Sequence, residues 1–510
     1  MWLTKQAREQ SSAQPIWQPQ SLVSPVTGWN TRDALDAMAA TDAVEMDNWY
    51  PDAGGVYLRN GYQSYATGLG STVQTLAEFN SGTTRKFLGA SNGSFYDISL
   101  AGAVGAPLAS GFTGNAWQWI QFLGRTFFVN GQDTMQVYDG TSFSNAGFTG
   151  VSLATLSGCV EHQQRLYFWD RTATGFWFAP LNSINGALSF YDLSAFLPQG
   201  GNLIAAANLS YDGGTGVLDY IVFITSSGWS LLFAGNDPSD VNNWSLIGRY
   251  RISPPVSPRA ICSYGGEAFV TTFDDHVPFQ QQFAALRVGQ IPPRSKVSNA
   301  VQAAVIANPS GFGWQALYYP RGRRLIFNIP NPDGTFDQHV QNTANQAWCR
   351  FGGLGSKMNA QCFGLFKDQL YFGGSSGVVY LADIGNMDLM GAISGVAQQA
   401  WNTFQNPFRK RVTAVRPVTT TVGTGNYVLG IGFDYGSIDI NVPVTTPESG
   451  SPWNTSPWNT SPWSPEAHTD QTWHIGGGTG QAIGLKLSAA SAEPLTWLRT
   501  DLRFEQGNGL

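Results

Sequence analysis

One repeated pattern constrains the fold of this chain more than any single residue does. A turn rich in Gly, Arg or Lys is followed by three large apolar residues, a polar break and a second apolar-aromatic stretch. The spacing of about 40 to 57 residues is typical of a four-stranded propeller blade. Seven copies are counted, with central residues Phe87, Phe127, Tyr167, Ile221, Phe269, Ile326 and Tyr371.

Each copy predicts a β-hairpin with one apolar face. A single hairpin cannot bury that face, so neighbouring copies must stack. The pattern therefore predicts an all-β fold, a β-propeller of about seven blades, with six or eight blades as alternatives. The fifth copy lacks a clear second strand. An elongated array of β-sandwiches with chance self-similarity is the other interpretation.

The chain is expected to divide into three regions. Residues 1–70 form an N-terminal arm and entry motif, residues 71–400 form the propeller, and residues 401–510 form a C-terminal β domain or strands that close the ring. A helix is predicted over residues 296–305, where apolar residues recur at helical spacing. It is expected to pack on the propeller rim or to serve as an interface helix.

The charge of the chain argues against a general nucleic-acid binder. Charged residues make up 12% of the chain and the net charge is −6, whereas such binding needs a basic surface. A neutral or acidic channel wall along which DNA slides is compatible with this balance. A weakly charged surface also suits subunits that bury much of it in an assembly.

Two targeting features are missing from the sequence. The N-terminus has no apolar signal segment, and no run of about 18 apolar residues could span a membrane. We therefore expect a protein made in the cytoplasm, with no membrane span.

No specific catalytic or metal-binding constellation is recognised. Asp274-Asp275-His276 is the most metal-like cluster, but adjacent strand residues point to opposite faces and a turn is expected. Glu161-His162 is expected to be structural. The remaining histidines are expected to be surface or hydrogen-bonded residues: His339, His468 and His474. We predict no catalytic residue, no metal and no cofactor.

Two further groups of residues are expected to be inert. Arg321, Arg323 and Arg324 flank a glycine in a hairpin turn and are expected to face solvent. No CxxC pair exists, and the wide spacing favours free thiols over two disulfides. The cysteines are Cys159, Cys262, Cys349 and Cys362.

A direct Ser-Pro-Trp repeat interrupts the C-terminal region, in a loop over residues 448–466. It places Trp453, Trp458 and Trp463 at a period of five. Exposed tryptophans at this density mark a contact surface. We predict a docking element or a channel-narrowing tip; the alternative is a loop that buries the rings on its own subunit.

Two stretches resemble a known family. The first carries Asn48, Trp49, Tyr50, Pro51, Asp52, Gly54, Gly55, Arg59, Gly61 and Tyr62. The second, over about 45 residues, carries Asp237, Pro238, Trp244, Gly265 and Gly266. They resemble tail nozzle proteins (tail tubular, packaged-DNA stabilisation proteins) of short-tailed bacteriophages. Gly228-Trp229 departs from the family, which has a charged residue after the glycine.

The resemblance implies a structural protein of the virion tail, made in the host cytoplasm, and not an enzyme. Six copies would form a ring below the portal and its adaptor, continue the DNA channel, retain packaged DNA and open for ejection. The implied partners are five other copies, the head-tail adaptor, tail fibre or tail needle proteins, and double-stranded DNA that passes without sequence-specific binding. A secreted or surface propeller lectin or glycosidase and a cytoplasmic scaffold propeller are the alternatives.

Overall fold

The computed structural model describes residues 18–212, 217–309, 312–423, 425–438, 440–445 and 467–506. These residues are mostly β-strands, as the repeat predicts. Six strands precede the first blade: β1 (Gln18–Val23), β2 (Gly28–Trp29), β3 (Asp42–Asp47), β4 (Trp49–Asp52), β5 (Gly55–Leu58) and β6 (Tyr62–Thr67).

Blades 1 to 3 are separate antiparallel sheets. Blade 1 contains β7 (Thr75–Ser81), β8 (Thr84–Ser91), β9 (Ser94–Asp97) and, after the short β10 (Gly102–Ala103), β11 (Ala109–Ser110). Blade 2 contains β12 (Gln118–Phe122), β13 (Arg125–Val129), β14 (Gln136–Tyr138) and β15 (Phe143–Asn145). After β16 (Gly147–Thr149), blade 3 contains β17 (Gly158–His162), β18 (Arg165–Trp169), β19 (Gly175–Phe178) and, after β20 (Asn185–Ala187), β21 (Ser189–Asp192).

Blades 4 and 5 are also separate sheets. A 3₁₀ turn (Ser194–Phe196) leads to blade 4, with β22 (Leu203–Asp212), β23 (Val217–Thr225), β24 (Trp229–Gly235) and β25 (Trp244–Arg251). Blade 5 has three strands, β26 (Ile261–Tyr264), β27 (Glu267–Thr271) and β28 (His276–Pro278), followed by α1 (Phe279–Arg287) and α2 (Ser298–Ala307).

Two further four-stranded units follow. Unit 6 contains β29 (Gln315–Tyr319), β30 (Arg324–Pro330), β31 (Phe336–Asn342) and β32 (Trp348–Phe351). Unit 7 contains β33 (Cys362–Phe366), β34 (Gln369–Gly373) and β35 (Val379–Ala382), and β6 from the N-terminal segment completes it. The first strands of successive blades and units lie side by side, and β33 returns to β7, so the ring is closed.

The predicted propeller is therefore present, but its blade count needs a correction. Only five repeats form separate blades, because units 6 and 7 are hydrogen-bonded into one sheet of 16 strands. The missing second strand of the fifth copy also has a structural basis. Its β28 has three residues, and α1 follows where other blades have a fourth strand. Phe279 and Phe283, one helical turn apart, are buried and pack α1 onto the blade.

The predicted helix is confirmed as α2, shifted by two residues from the expected start. Val301 and Val305 lie on its buried face. This α2 joins blade 5 to unit 6, which agrees with a helix packed on the propeller. The sequence did not predict α1.

Both ends of the chain build a β-sandwich beside unit 6. The C-terminal strands are β36 (Met387–Asp388), β37 (Gly391–Gln399), β38 (Lys410–Thr421), β39 (Asn426–Phe433), β40 (Ile440–Thr445), β41 (His468–Asp470), β42 (His474–Ile475), β43 (Thr479–Gly480), β44 (Ile483–Ser491) and β45 (Leu495–Gln506). In the outer sheet, β4, β5, β45 and β38 are neighbours, and β1 pairs with β45. The second sheet has β3, β37, β44, β39 and β40. Buried residues that include Val415, Leu429, Leu487, Trp497 and Leu502 form its core.

Candidate functional site

The predicted docking tryptophans lie outside the described residues, whereas the residues that resemble nozzle proteins lie within them. Trp453, Trp458 and Trp463 lie outside the described residues. The first of the two stretches that resemble nozzle proteins runs from Asn48 to Tyr62 and is called the signature stretch below. It lies at the junction between the sandwich and the propeller. Its β4–β5 hairpin pairs with β45 of the sandwich, and its β6 pairs with β35 of unit 7.

Arg59 is almost fully buried and forms the centre of this junction. Its two terminal nitrogens donate to the two oxygens of Asp388 at 2.8 and 2.6 Å, and its Nε donates to Asn48 Oδ1 at 2.8 Å. Asn48 Nδ2 donates to the carbonyls of Ser356 and Ser394 at 2.9 and 2.7 Å. One ion pair and one amide thus join the N-terminal hairpin to the loop after β32 and to β36 and β37.

A second ion pair lies beside the first. Arg350 binds Asp47 through two hydrogen bonds of 2.7 and 2.9 Å, and the backbone N–H of Leu354 donates to the same carboxylate at 2.9 Å. Burial raises the pKa of the Asp47 carboxyl, and Arg350 opposes that shift. The Arg350 guanidinium also lies over the ring of Trp29, 5.1 Å from its centroid. The pair fixes the loop after β32 against β3.

A third ion pair corrects the prediction for the arginine turn. Arg321 and Arg323 are exposed, but Arg324 is buried, because its side chain points into the junction. It binds Asp383 at 2.7 Å and stacks over Tyr50, 4.5 Å from the ring centroid. Burial alone would raise the pKa of the Asp383 carboxyl, but the Arg324 charge holds it below its usual value.

Several other residues of the signature stretch lie in or beside the turn of the β4–β5 hairpin. Asp52 and Gly55 are paired across a two-residue turn that contains Gly54, and the Asp52 carboxylate accepts the N–H of Ala53 at 2.9 Å. The carbonyl of Pro51 accepts a hydrogen bond of 3.0 Å from Asn342 in unit 6. Trp49 is fully buried. These residues therefore act as structural residues of the junction.

Gly61 and Tyr62 join the hairpin to unit 7. A Cβ atom at Gly61 would lie 1.8 Å from the carbonyl oxygen of Met387, so only glycine fits there. Tyr62 packs edge-on against Phe372 and Tyr380, with ring centroids 5.0 and 5.3 Å apart. The end of the signature is thus a close contact between backbone segments 326 residues apart in sequence.

The second signature stretch lies where blades 3, 4 and 5 meet. Trp244 is buried and stacks on Phe233, and Asp237 pairs with Arg165 of blade 3 at 3.5 Å. Pro238 is buried in the same turn. Gly265 has φ 60° in the turn between β26 and β27. A Cβ at Gly266 would lie 2.6 Å from the carbonyl of Ser210 in blade 4, so this glycine permits close packing of two blades.

Side-chain amides join the first strands of several neighbouring blades. Gln315 donates to the carbonyl of Phe363 at 2.9 Å and accepts its N–H at 2.8 Å, between units 6 and 7. Gln121 makes the same two contacts with the backbone of Asn80, between blades 2 and 1. Asn208 of blade 4 donates to the carbonyl of Glu161 in blade 3 at 2.6 Å. Each amide therefore takes the place of a ladder hydrogen bond between two first strands that do not pair with each other.

One arginine crosses the propeller. Arg259, just before β26, donates to the carbonyl of Gln74, just before β7, at 2.8 Å. Blades 5 and 1 lie on opposite sides of the closed ring, with units 6 and 7 between them along one path. The tunnel of the propeller is therefore crossed by a side chain at this end.

Two buried histidines, missed as a pair in the sequence, meet between blade 5 and unit 6. His276 Nε2 and His339 Nδ1 are 3.1 Å apart, and His276 Nδ1 is 3.0 Å from Thr271 Oγ1. Burial lowers the pKa of both imidazoles, that of His339 to about 3. They lie 63 residues apart, and each is on the third strand of its repeat. An alignment of the repeats in the sequence could therefore have indicated that the two residues occupy equivalent strands of neighbouring units. The preceding residues Asp274 and Asp275 form a turn, as expected.

An open cavity of about 560 Å³ lies next to this pair. Its lining includes the aromatic rings of Tyr264 and Phe269, the amide of Gln281, the guanidinium of Arg294 and one carboxylate, Glu267. Glu267 accepts backbone N–H groups at the start of α1, including that of Gln280 at 2.9 Å, and burial raises its pKa. The cavity can hold a polar molecule with an apolar face, but its lining has no pair of carboxylates.

Three observations on the described residues concern metal, membrane and thiol chemistry. No group of three or more His, Cys, Asp or Glu side chains there could hold a metal ion. Within the same ranges no helix is long and apolar enough to cross a membrane. All four cysteines are free thiols, as predicted, and burial raises the pKa of Cys262 to about 12 and that of Cys362 to about 11.

Comparison with solved structures gives distant likenesses to propeller proteins. No family model matches the chain, and no curated protein matches it. The computationally designed Ika8 protein is 11% identical, with a TM-score of 0.37, over 63% of this chain and 100% of that one. BBS1N, solved in complex with ARL6DN, is 9% identical, with a TM-score of 0.39, over 65% and 99%. BamB from Moraxella catarrhalis is 11% identical, with a TM-score of 0.38, over 66% and 93%. The propeller assignment rests on the strand pairing described above.

Proposed function

We propose that this chain is a structural subunit of the tail of a short-tailed bacteriophage, a nozzle protein without enzymatic activity. Six copies would form a ring below the portal and its adaptor that continues the DNA channel, retains packaged DNA and opens for ejection. The observation that supports this proposal is the position of the signature residues. Both stretches that resemble nozzle proteins lie where modules of the fold are joined, and Arg59 is at the centre of the larger junction.

The propeller itself is not the proposed channel. Its tunnel is crossed by the side chain of Arg259, which donates to the carbonyl of Gln74. A conduit for duplex DNA would therefore form between copies, around the axis of the ring. This makes contacts between neighbouring subunits essential to the proposal.

The junction holds two loops that suit such contacts. Leu354 and Met390 are 74% and 93% exposed, and Met387 and Leu389 are also exposed. Arg59 binds Ser356 and Asp388, which lie next to these residues in the two loops, and Asp47 binds the N–H of Leu354. Exposed apolar side chains that form a patch mark protein contacts. We assign them to the neighbouring subunit in the ring.

Quantitative mass spectrometry of purified particles, with immunogold labelling, tests the proposal. We expect six copies per particle, with the label at the tail vertex. Absence of the protein from tailed particles would overturn the proposal. A double substitution, Leu354→Asp with Met390→Asp, should prevent ring formation, whereas Val241→Asp, at a residue 88% exposed on blade 4, serves as the matched control and should not.

The Ser-Pro-Trp loop adds a separate prediction within this proposal. Residues 451–463 lie outside the described residues, and we propose that they dock to a partner or narrow the channel. Deleting them should lower tail assembly or DNA retention. A normal titre with stable, filled heads would contradict this role.

The cavity beside the histidine pair supports a second candidate function, that of a lectin. Aromatic rings and amide side chains line it, and pockets of about 300–1,000 Å³ hold small ligands. Because glycosidases ordinarily need two carboxylates at the bond they cleave, the single carboxylate favours binding over hydrolysis. A glycan panel tests this candidate: binding that Arg294→Ala abolishes would support it, and no binding would exclude it.

A further inference from the structure

The outer face of the sandwich carries a cluster of arginines that the junction does not use. Along β45, Arg499, Asp501, Arg503 and Glu505 alternate on one side of the strand, since neighbouring strand residues point to opposite faces. In β38, Arg416 lies opposite Asp501 and Arg411 lies opposite Glu505. Four cations and two carboxylates therefore share one face, in a chain whose net charge is −6.

A tryptophan fixes two of these arginines. The guanidiniums of Arg416 and Arg503 lie 4.7 and 4.5 Å from the ring centroid of Trp473. A guanidinium that stacks on a ring uses its flat face and keeps its N–H edge for other partners. The side chains are thereby held in place without a carboxylate partner for each.

The two carboxylates leave this face incompletely neutralised. Asp501 accepts hydrogen bonds from Arg416 at 2.6 and 2.9 Å and from Arg499 at 3.1 Å, and it also accepts the hydroxyl of Ser21. Arg411 is 70% exposed and approaches Glu505 only to 3.9 Å. The Arg503 side chain makes no hydrogen bond or ion pair with any described residue. Among the described residues, Arg503 therefore has no carboxylate partner and Arg411 has only its loose contact with Glu505, and both residues are exposed.

We propose that this arginine face binds the phosphate backbone of duplex DNA without reading its sequence. Guanidinium edges match phosphate oxygens in two-point contacts. Phosphate contacts position a protein on DNA but carry no base information. The identification of the polyanion as DNA rests on the proposed nozzle function, in which this face would line or approach the channel. It also differs from the neutral or acidic channel wall with which the net charge of −6 is compatible.

The test uses the full chain and a fluorescently labelled duplex of arbitrary sequence, with anisotropy measured over a series of NaCl concentrations. The face variant is R411Q/R503Q. A matched control exists on blade 4, where Arg249 and Arg251 lie over Trp229 at 5.3 and 5.9 Å. The control variant R249Q/R251Q removes the same charge, and its two arginines stack on a tryptophan as Arg503 does.

We expect weak, sequence-independent binding that falls with salt. Losing two phosphate contacts should lower the affinity of R411Q/R503Q roughly tenfold at low salt and reduce the slope of log K against log salt by about 2. R249Q/R251Q should bind as the wild type does. Circular dichroism of both variants checks that these exposed substitutions leave the fold intact.

Three outcomes would overturn the inference. Equal losses in the two variants would mean that net charge alone determines binding. Absence of duplex binding by the wild type at low salt would exclude a phosphate-binding face. Binding to vesicles of phosphatidylserine and phosphatidylcholine that R411Q/R503Q abolishes, without duplex binding, would assign the face to a membrane surface. If mass spectrometry finds the protein in tails while duplex binding fails, the nozzle proposal stands and this inference alone fails.

Discussion

Two kinds of polar contact hold this molecule together, and they differ in charge. Between neighbouring blades, neutral amides pair with the backbone of the next strand at three places, as Gln315 does with Phe363, and one looser ion pair of 3.5 Å joins Arg165 to Asp237. At the propeller–sandwich junction, three arginines pair with carboxylates: Arg59 with Asp388, Arg350 with Asp47 and Arg324 with Asp383. An amide is inexpensive to bury when both its groups are paired, whereas a buried ion pair is costly unless its geometry is complete.

This difference suits the task of each contact. Blades repeat around a ring, and their apolar faces already favour stacking, so an amide needs only to satisfy the backbone groups of two strands. The junction joins two unlike modules at one place. Because a half-made buried ion pair is unfavourable, three of them select one arrangement of the sandwich on the propeller. We infer that the amides satisfy backbone hydrogen-bonding groups between neighbouring blades. The ion pairs fix the orientation of the sandwich on the propeller.

The largest effect is expected from Arg59→Met. The substitution leaves Asp388, whose side chain is 10% exposed, without its partner and Asn48 Oδ1 without the Arg59 donor. We expect a loss of about 3–5 kcal/mol in the free energy of unfolding, measured by urea denaturation. Arg125→Met, which breaks the exposed 4.0 Å pair with Asp139, is the matched control and should cost at most about 1 kcal/mol.

A double variant sharpens this result. Arg59→Met with Asp388→Leu removes both charges, so it should recover part of the stability that Arg59→Met loses. If Arg59→Met and Arg125→Met were equally stable, the junction would behave like a surface contact. That result would contradict the distinction between the contacts of the blades and those of the junction.

The sequence predicted the repeated part of this fold better than the junction. A run of three large apolar residues, as in Phe127 to Val129, indicates a buried strand wherever it occurs, so the propeller could be predicted. Apolar residues at helical spacing likewise indicated α2. The partners of Arg59 and Arg324 lie 329 and 59 residues away, and no local pattern reports such pairs. A hairpin turn at Gly322 indicated exposure for Arg324, but tertiary packing turned its side chain inward.

The signature stretch can be identified in the sequence by its resemblance to nozzle proteins, but that resemblance does not give its structural role. Its Gly54 and Gly55 indicated a turn, and the structure confirms it. Asn48 and Gly61 carried no signal of their own, because their importance comes from Ser394 and Met387, which belong to the other end of the chain. The arginine face was missed for a different reason: β38 and β45 are far apart in sequence and become neighbours only in the sheet.

The histidine pair provides a contact whose strength depends on pH. His276 and His339 are buried with lowered pKa values, so between pH 6.5 and about 3 the unfolded chain binds protons that the native state does not. The free energy of unfolding should therefore fall as the pH falls below about 6.5. The loss should approach about 1.4 kcal/mol per pH unit for each histidine.

Denaturation of the wild type and of His276→Phe/His339→Leu at several pH values measures this effect. The comparison uses only the slope of the unfolding free energy against pH, so the stability of the double variant at neutral pH does not enter it. Its free energy of unfolding should fall less steeply below pH 6.5. Parallel pH profiles for the two proteins would contradict a role for the pair in acid sensitivity.

Among the amide contacts, Gln315→Leu should have the larger effect. The N–H and the carbonyl of Phe363 lose their partner, and Phe363 is 2% exposed. Buried backbone groups left unpaired cost about 1–3 kcal/mol. Urea denaturation measures the loss, and Gln315→Glu, which keeps the acceptor but not the amide donor, tests whether both hydrogen bonds matter.

The smallest effect is expected from Gln121→Leu, which removes the equivalent pair of contacts between blades 2 and 1. Asn80 is exposed, so water can replace the lost partner of its N–H and carbonyl. The cost should be about 0.5–1.5 kcal/mol, the net value of a hydrogen bond that water can replace. If Gln121→Leu and Gln315→Leu cost the same, burial does not set the value of an amide contact, and the distinction between neutral seams and a charged junction loses its physical basis. If the costs differ as expected, the same argument from desolvation accounts for the amides and for the ion pairs.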